Sequence, residues 1–582
     1  MRRILALVLA LVMTMALVAC GGDKPTSSTP TAPSNPTEPS KPSDPAKPSD
    51  PATPTEPAKP ADPDADKYGG NLIVAAGDAW TTFDPFINTN MGNVRMNHHI
   101  YEPLGTYDAN GKLYGVVCDI KESADGLTVT LTLRERYFSN GKKVTIEDVE
   151  ASIRHCAALR TEAAFNKIWA GTTFKVEGDT IILTSEKYNV NLLGNLCIDY
   201  SNYKVMPKEI LDKYPVTGGT MQPCGLVMGG TAPQIDKIED AIGSGTYVLT
   251  SYTEEEVTLR RNEHYTIIEN DAIGIAAPAK QYADTITFTL NKDAASRSAA
   301  MMTGEYSIGS VTTDMQEMAK TMGVRLEDAG TTWTAAIFFN LHESNSDSPI
   351  YNVNIRKAIR SIVDADAALM AVTANNPDRT RYLQPYGVSQ DGPYASTKME
   401  DAGAYNIKDM AKAKEYMAKA NYDGTPIVYL CPPSGNFYNT AMVVIPAMES
   451  IGLKVELMTV DSGAHSAMRN DPKTGHDIGC WEIQKTLNPV AANMFVCNLN
   501  STGWWMNPKK TAAVEIMMST PAGSAESVAA YNDFLDVVIE DCPYIIFGHP
   551  GGISAYRENV VKGSVGMVNY YYWNDYFTDN KK

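Results

Sequence analysis

Proline returns at every third position from Pro30 to Pro63, twelve times in succession. Polyproline II repeats every three residues, so this spacing lines the prolines along one edge of an extended rod. Ser, Thr, Ala, Asn, Asp, Glu and Lys fill the positions between them. With almost no apolar side chain to bury, the segment is expected to stay solvated and outside any packed core. At about 3.1 Å per residue, some forty residues reach on the order of 120 Å when extended. A compact fold must therefore be sought on the far side of this rod.

The residues before the rod explain its use. Arg2 and Arg3 precede an uncharged run from Ile4 to Ala19. A basic start and a short apolar stretch predict a secretory signal peptide over residues 1–19, shorter than the roughly 20 apolar residues of a membrane span. Leu17-Val18-Ala19-Cys20 resembles the bacterial lipobox, which implies cleavage before Cys20 and a lipid on its thiol. Residues 20–66 then read as a lipidated cysteine and a Pro-rich disordered stalk. A ligand for SH3-type domains is the poorer account, because a secreted tether does not usually meet one.

Residues 67–582 are too many for one compact core and enough for two or three lobes. The chain's formal charge of −18 argues against nucleic-acid partners and against lying on an anionic membrane. Beyond Cys20 the cysteines are Cys118, Cys156, Cys197, Cys224, Cys431, Cys480, Cys497 and Cys542, with no C-x-x-C pair. A zinc ribbon is thereby disfavoured, while disulfides and buried thiols both remain open. No second apolar run reaches membrane length.

The pattern along this body is mixed α/β. Leu127, Val129, Leu131 and Leu133 alternate as a strand, closed by the turn residues Ser139-Asn140-Gly141. Thr145 with Asp148 three places later predicts a capped helix start. Ile355, Ala358, Ile359, Ile362 and Val363 fall on one helical face. "AKAKEYMAKANY" predicts a helix with a polar face, and "IVYLC" and "LKVELMTV" predict strands flanking a further helix. Several lobes of strands and helices are expected.

Five blocks in order carry a family resemblance over nearly all of this body. They are "GGNLIVAAGDAWTTFDP…IYEPLGTYDANGKLYG", "SADGLTVTLTLRERYFSNGKKVTIEDVEASI", "AIGSGTYVLTSYTEEEVTLRRNEHY", "FFNLHESNSDSPIYNVNIRKAIRSIVD" and "YNDFLDVVIEDCPYIIFGHPGGISAYRENVVKG". Together they resemble the family 5 extracellular solute-binding proteins, the dipeptide-, oligopeptide- and nickel-binding components of ABC importers. The sequence departs from the family pattern with "SGTY" for "TGPY" and with Asn354 where an aspartate is common. The resemblance implies the class II periplasmic-binding-protein-like fold, a bilobed α/β clamp with an extra domain and mixed sheets flanked by helices. Its expected division is lobe I at 67–104, 231–312 and 549–582, an extra domain at 105–230, and lobe II at 313–548. It further implies capture of a peptide by hinge closure and delivery to permease and ATPase subunits. The protein would be a monomer without cofactor, lipid-anchored to the outer face of the bacterial cytoplasmic membrane. Binding of an oligosaccharide or a nickel chelate, or sensing without transport, are the alternatives.

Enzyme motifs carry less. "SNYK" (Ser201–Lys204), "SNGK" (Ser139–Lys142) and "KTG" (Lys473–Gly475) match fragments of serine acyl-enzyme signatures, but the contexts are a hairpin turn and a loop. No G-x-S-x-G, phosphate loop or H-E-x-x-H occurs. His98, His99 and Glu102 suggest metal ligands only superficially, since adjacent residues point different ways; a packing role is the better reading. No catalytic residue and no metal ligand is assigned.

The segment "HDIGCWEIQKTLNPVAANMF" bears on specificity. In peptide-binding members the matching segment supplies an aspartate for the peptide's α-ammonium. Asp477, Trp481 and Pro489 match that frame, yet Gln484 or Lys485 stands where the aspartate would. A buried ammonium needs a carboxylate partner, and Glu482 is the nearest substitute. Trp80, Trp333, Trp481, Trp504 and Trp505 fall in segments that tend to line the family's cleft. The candidate ligand-binding residues are Trp80, Trp481, Glu482, Lys485 and Asn488, with Cys20 as the lipidation site.

Overall fold

The computed structural model describes residues 63–87, 91–108, 111–197, 202–330, 333–373, 380–390, 392–484, 488–490, 503–563 and 571–579. Cys20, the signal segment and nearly all of the stalk lie outside them, as does Lys485. Among the described residues no helix is long and apolar enough to cross a membrane.

Three sheets organise the body. The first has seven strands, in spatial order Tyr247–Tyr252, Glu256–Arg261, Thr285–Leu290, Asn71–Ala76, Ile308–Gly309, Gly552–Arg557 and Val324–Gly330. The second has six: Thr380–Tyr382, Tyr544–Pro550, Trp333–Phe339, Ile478–Gln484, Ile427–Cys431 and Val455–Thr459. A third, four-stranded antiparallel sheet runs Cys118–Glu122, Thr128–Leu133, Thr180–Ser185 and Thr172–Glu177.

Local sequence chemistry accounts for these elements. In strand Thr128–Leu133 the buried residues are Val129 and Leu131, as alternation requires. Gly141 turns the chain after it with a left-handed φ of +81°, and its N–H bonds the Phe138 carbonyl at 2.8 Å. Helix Ile146–Ala158 starts with the expected capping box: Thr145 accepts from the Asp148 amide and Asp148 from the Thr145 amide. That cap contributes about 1 kcal/mol. Helix Val353–Ile362 buries Ile355, Ala358 and Ile359 against the second sheet. Strands Ile427–Cys431 and Val455–Thr459 are parallel, with helix Asn436–Ser450 between them in the chain.

Two adjacent strand pairs join the first sheet to the second. Val324–Gly330 and Gly552–Arg557 are antiparallel neighbours in the first. Their chain continuations, Trp333–Phe339 and Tyr544–Pro550, are antiparallel neighbours in the second. Only Gly551 separates the two strands of the returning connection. The division expected from sequence opens lobe II at residue 313, which assigns Val324–Gly330 to lobe II and its sheet neighbour Gly552–Arg557 to lobe I.

Buried polar groups brace each lobe. Arg356 bonds the carbonyls of Ile350 (2.9 Å), Tyr351 (2.8 Å), Asp541 (2.7 Å) and Cys542 (3.1 Å). It closes the end of helix Ala525–Asp541, where Cys542 takes a left-handed φ of +46° before strand Tyr544–Pro550 begins. In the other lobe Arg136 forms a two-pronged ion pair with Glu102, both buried. Away from the crossing, Val190 and Tyr188 pack into the apolar cluster that holds Tyr394, Val514 and Met517. The seven described cysteines carry free thiols, and all but Cys224 are buried.

Candidate functional site

The parallel part of the first sheet sets the position of a cavity. Strand Asn71–Ala76 runs parallel to both Thr285–Leu290 and Ile308–Gly309, so the carboxyl ends of all three open on the same side. In open α/β sheets a crevice beyond the carboxyl ends of such strands is the usual ligand position. Here a cavity of about 400 Å³ lies there. Gly77 and Asp78 follow the first strand, Lys292 and Arg297 follow the second, and Ser310 follows the third. Its remaining wall comes from the lobe crossing, through Ala329, Trp333, Pro550 and Gly552. One wall thus belongs to the first sheet and the segments that follow its strands, and the other to the connection between the two sheets.

The charged groups of this cavity are held by backbone. Arg297 lies in helix Ala294–Thr303, capped by Asp293; it bonds the Asn291 carbonyl and reaches Ser310 Oγ at 3.5 Å. Gly77 allows that approach: a Cβ there would stand 3.1 Å from the guanidinium. Arg95 comes from helix Met91–Ile100 and sits 3.7 Å from Asp78, whose side chain is 60 % exposed.

His99 ties this wall together. Its Nδ1 meets the Arg95 carbonyl at 2.8 Å, and its Nε2 accepts the Tyr572 N–H at 3.2 Å. The ring must therefore carry its proton on Nδ1 and stay neutral, because a second proton on Nε2 would face a donor. Burial pushes its pKa down to about 4, partly opposed by the bond to Arg95. Arg95 and Tyr572 both line the cavity. Glu102, one turn further along, is committed to Arg136.

The sequence candidates are distributed more widely than expected. Trp80 is 6 % exposed in the first core, and its indole N–H donates to the Thr253 carbonyl at 2.5 Å. Trp481 and Glu482 occupy strand Ile478–Gln484 in succession, so alternation sends them to opposite faces. Trp481 packs against the cluster containing Phe338 and Tyr386, with the Arg469 guanidinium over its ring. Glu482 receives a 3.4 Å bond from Asn436 on the other face. The Glu482 carboxylate also supports the charge of Arg469, whose pKa burial lowers to about 10. Asn488 accepts the Val490 amide at 3.1 Å. Asp477 is structural: its oxygens accept from Val428 N at 2.7 Å and from Asn345 at 3.1 Å.

Of the tryptophans flagged in the sequence, Trp333 lines the cavity, whereas Trp504 and Trp505 are buried at 7 % and 5 % exposure. Sequence reasoning missed Arg95, Lys292 and Arg297. Lys292 and Arg297 follow one strand, Arg95 lies in a helix some two hundred residues earlier, and only the strand order brings the two segments together. The available signal was Lys292 just past one apolar strand, which sequence alone does not distinguish from surface charge.

Comparison with known proteins places this architecture. Residues 114–505 match the model of bacterial extracellular solute-binding proteins, family 5. The ABC transporter substrate-binding protein CtaP from Listeria monocytogenes superposes with a TM-score of 0.69 at 18% identity, covering 88% of this chain and 100% of that one. AgaA from A. tumefaciens R10, solved with agropinic acid, gives 0.66 at 20% identity over 87% and 99%. The oligopeptide-binding protein AppA from Bacillus subtilis, solved with a nonapeptide, gives 0.66 at 17% identity over 88% and 100%. These are class II periplasmic-binding-protein folds, with mixed sheets flanked by helices.

The neutral His99 generates a pH prediction. Its folded pKa lies below the unfolded value near 6.5, so its stabilising contribution is full above pH 6.5 and is lost as pH falls through about 4. His155 and His465, also depressed to about 4 by burial, act in the same direction. The melting temperature should fall across that window, and the His99 ring carbon shifts in NMR should stay those of a neutral imidazole until about pH 4. A His99 ring that titrates near 6.5 with no change in melting temperature would contradict this account.

Proposed function

The chain belongs to the bacterial extracellular solute-binding proteins of family 5, and from that premise we propose that it captures a short peptide by closing its lobes and hands it to an ABC importer. The observation that carries this reading is the position of the cavity, walled on one side by strand ends and on the other by the two strand crossings. Bending at such a crossing closes the site around a ligand and presents a changed surface to a membrane partner. At about 400 Å³ the cavity falls low in the roughly 300–1,000 Å³ range of small-ligand sites. That size favours a ligand of dipeptide or tripeptide length. The end of strand Ile478–Gln484, where Gln484 pairs with Trp333, would form the opposing jaw, with Glu482, Lys485 and Asn488 as candidate ligand contacts and Trp481 holding the strand from the apolar side. Trp80 would act from behind, by fixing the wall through its bond to Thr253.

Catalysis is not part of the proposal. The cavity's polar groups are guanidinium, ammonium, hydroxyl and a carboxylate, and no nucleophile paired with a base is among them. The test is native mass spectrometry of the body purified from residue 63 onward, followed by identification of any released solute. A single class of peptide, retained non-covalently and recovered unchanged after incubation, is expected. Retention of oligosaccharide or of a nickel chelate, or turnover of the solute, would overturn the peptide reading.

Anchoring through a lipid on Cys20 fits the same function, because a tethered receptor stays at high effective concentration near its permease. Cys20→Ala should move the protein from the membrane fraction to the soluble fraction or leave its signal segment uncleaved. Unchanged membrane association with normal processing would refute the anchor.

A further inference from the structure

We propose that the captured solute carries two anionic groups at one end, seated on Arg297, Arg95 and Lys292 at the base of the cavity. This deepens the solute-capture reading and rests on it. The first ground is charge. Three cationic side chains from two distant segments converge on the cavity, and the one carboxylate lining it is that of Asp78. This concentration of positive charge stands on a chain whose formal charge is −18.

The second ground is what those cations already touch. Among the described residues Arg297 bonds only the Asn291 carbonyl and the Ser310 hydroxyl, and neither Arg297 nor Lys292 forms an ion pair. Those bonds hold the guanidinium in place while leaving its charge uncompensated. Asp78 neutralises at most one of the three charges, and it lies 3.7 Å from Arg95. Lobe closure removes water from the cavity. Desolvating uncompensated cations is costly, so closure is favourable only if the ligand brings the missing negative charge. Arginine's planar fork suits a carboxylate for this purpose.

Two small-molecule sources supply paired carboxylates at one end: a peptide with an acidic C-terminal residue, and a free polycarboxylate or its chelate. The observed size accommodates either. The first source is preferred where the proposed peptide reading holds, and the experiment separates them.

Isothermal titration of the exhaustively dialysed body with Ala-Ala-Glu, Ala-Ala-Gln amide, Ala-Ala-Lys and tricarballylate tests the proposal. Ala-Ala-Glu should bind at least about tenfold tighter than the amide or the lysine peptide, in line with charge-assisted hydrogen bonds, and its affinity should fall as salt rises. Arg297→Gln should weaken it by about ten- to a hundredfold, and Arg297→Lys by less. Lys292→Gln, at an exposed position that the fold does not need, should weaken it severalfold. Melting temperatures of the variants show whether each remains folded, and Lys292→Gln keeps the test valid if Arg297→Gln does not. Tight binding of tricarballylate with none of the peptides upholds the anionic site and overturns its peptide source. Equal or tighter binding of the neutral and lysine peptides, with both Gln variants within twofold of the parent, overturns the anionic site and leaves solute capture intact. Absence of binding by every solute, with an unchanged scattering radius, overturns both.

Discussion

The lobe crossing is the constraint on which the rest of the structure depends. Two antiparallel strands that are neighbours in the first sheet continue as two neighbours in the second. Backbone ladders thus run up to the crossing from both sides, and the register shifts between Asp328 and Gly330 and again between Ala335 and Ala336. Such irregularities bend a strand and interrupt pairing locally. Each lobe can remain rigid while rotation is confined to a few residues. Arg356, which binds four carbonyls at the start of strand Tyr544–Pro550, braces the lobe at the end of that strand remote from the joint. His99, bonded to Arg95 and Tyr572, braces the cavity wall.

Function follows from where the parallel strands end relative to that joint. Strands Asn71–Ala76, Thr285–Leu290 and Ile308–Gly309 deliver Asp78, Lys292, Arg297 and Ser310 to the same opening. The crossing supplies Trp333 and Pro550 from the facing side. In the proposed capture a ligand there would touch both walls, so its binding energy would differ between open and closed states. That difference is what allows a ligand to shift a conformational equilibrium. On the far side, Val190 and Tyr188 already bury apolar surface against the cluster of Tyr394 and Met517.

Much of the fold was legible in the sequence because local signals decide it. The alternation around Val129 and Leu131, the Thr145–Asp148 cap and the apolar face of Ile355, Ala358 and Ile359 all formed as expected. The family pattern was legible too, through five ordered blocks. The site was far less so. Trp481 and Glu482 were both expected as ligand contacts, and a strand sends such consecutive residues to opposite faces. Asp477 matches the family's frame but is consumed by Val428 and Asn345. Arg95 and Arg297 gave no local signal, because their meeting depends on strand order, which periodicity does not encode. Strand Val324–Gly330 likewise joins the first sheet only through its pairing with Gly552–Arg557, more than two hundred residues later.

The central claim is that the lobes close about the paired crossing when the cavity is filled. Spin labels on Met318→Cys, in the lobe of the first sheet, and Met442→Cys, in the lobe of the second, occupy exposed positions at 50% and 42% accessibility. Pulsed dipolar spectroscopy should give a broad or long distance distribution for the solute-free body. Saturation with the solute identified by mass should shift it to a shorter, narrower one. A distribution identical with and without bound solute would contradict the account.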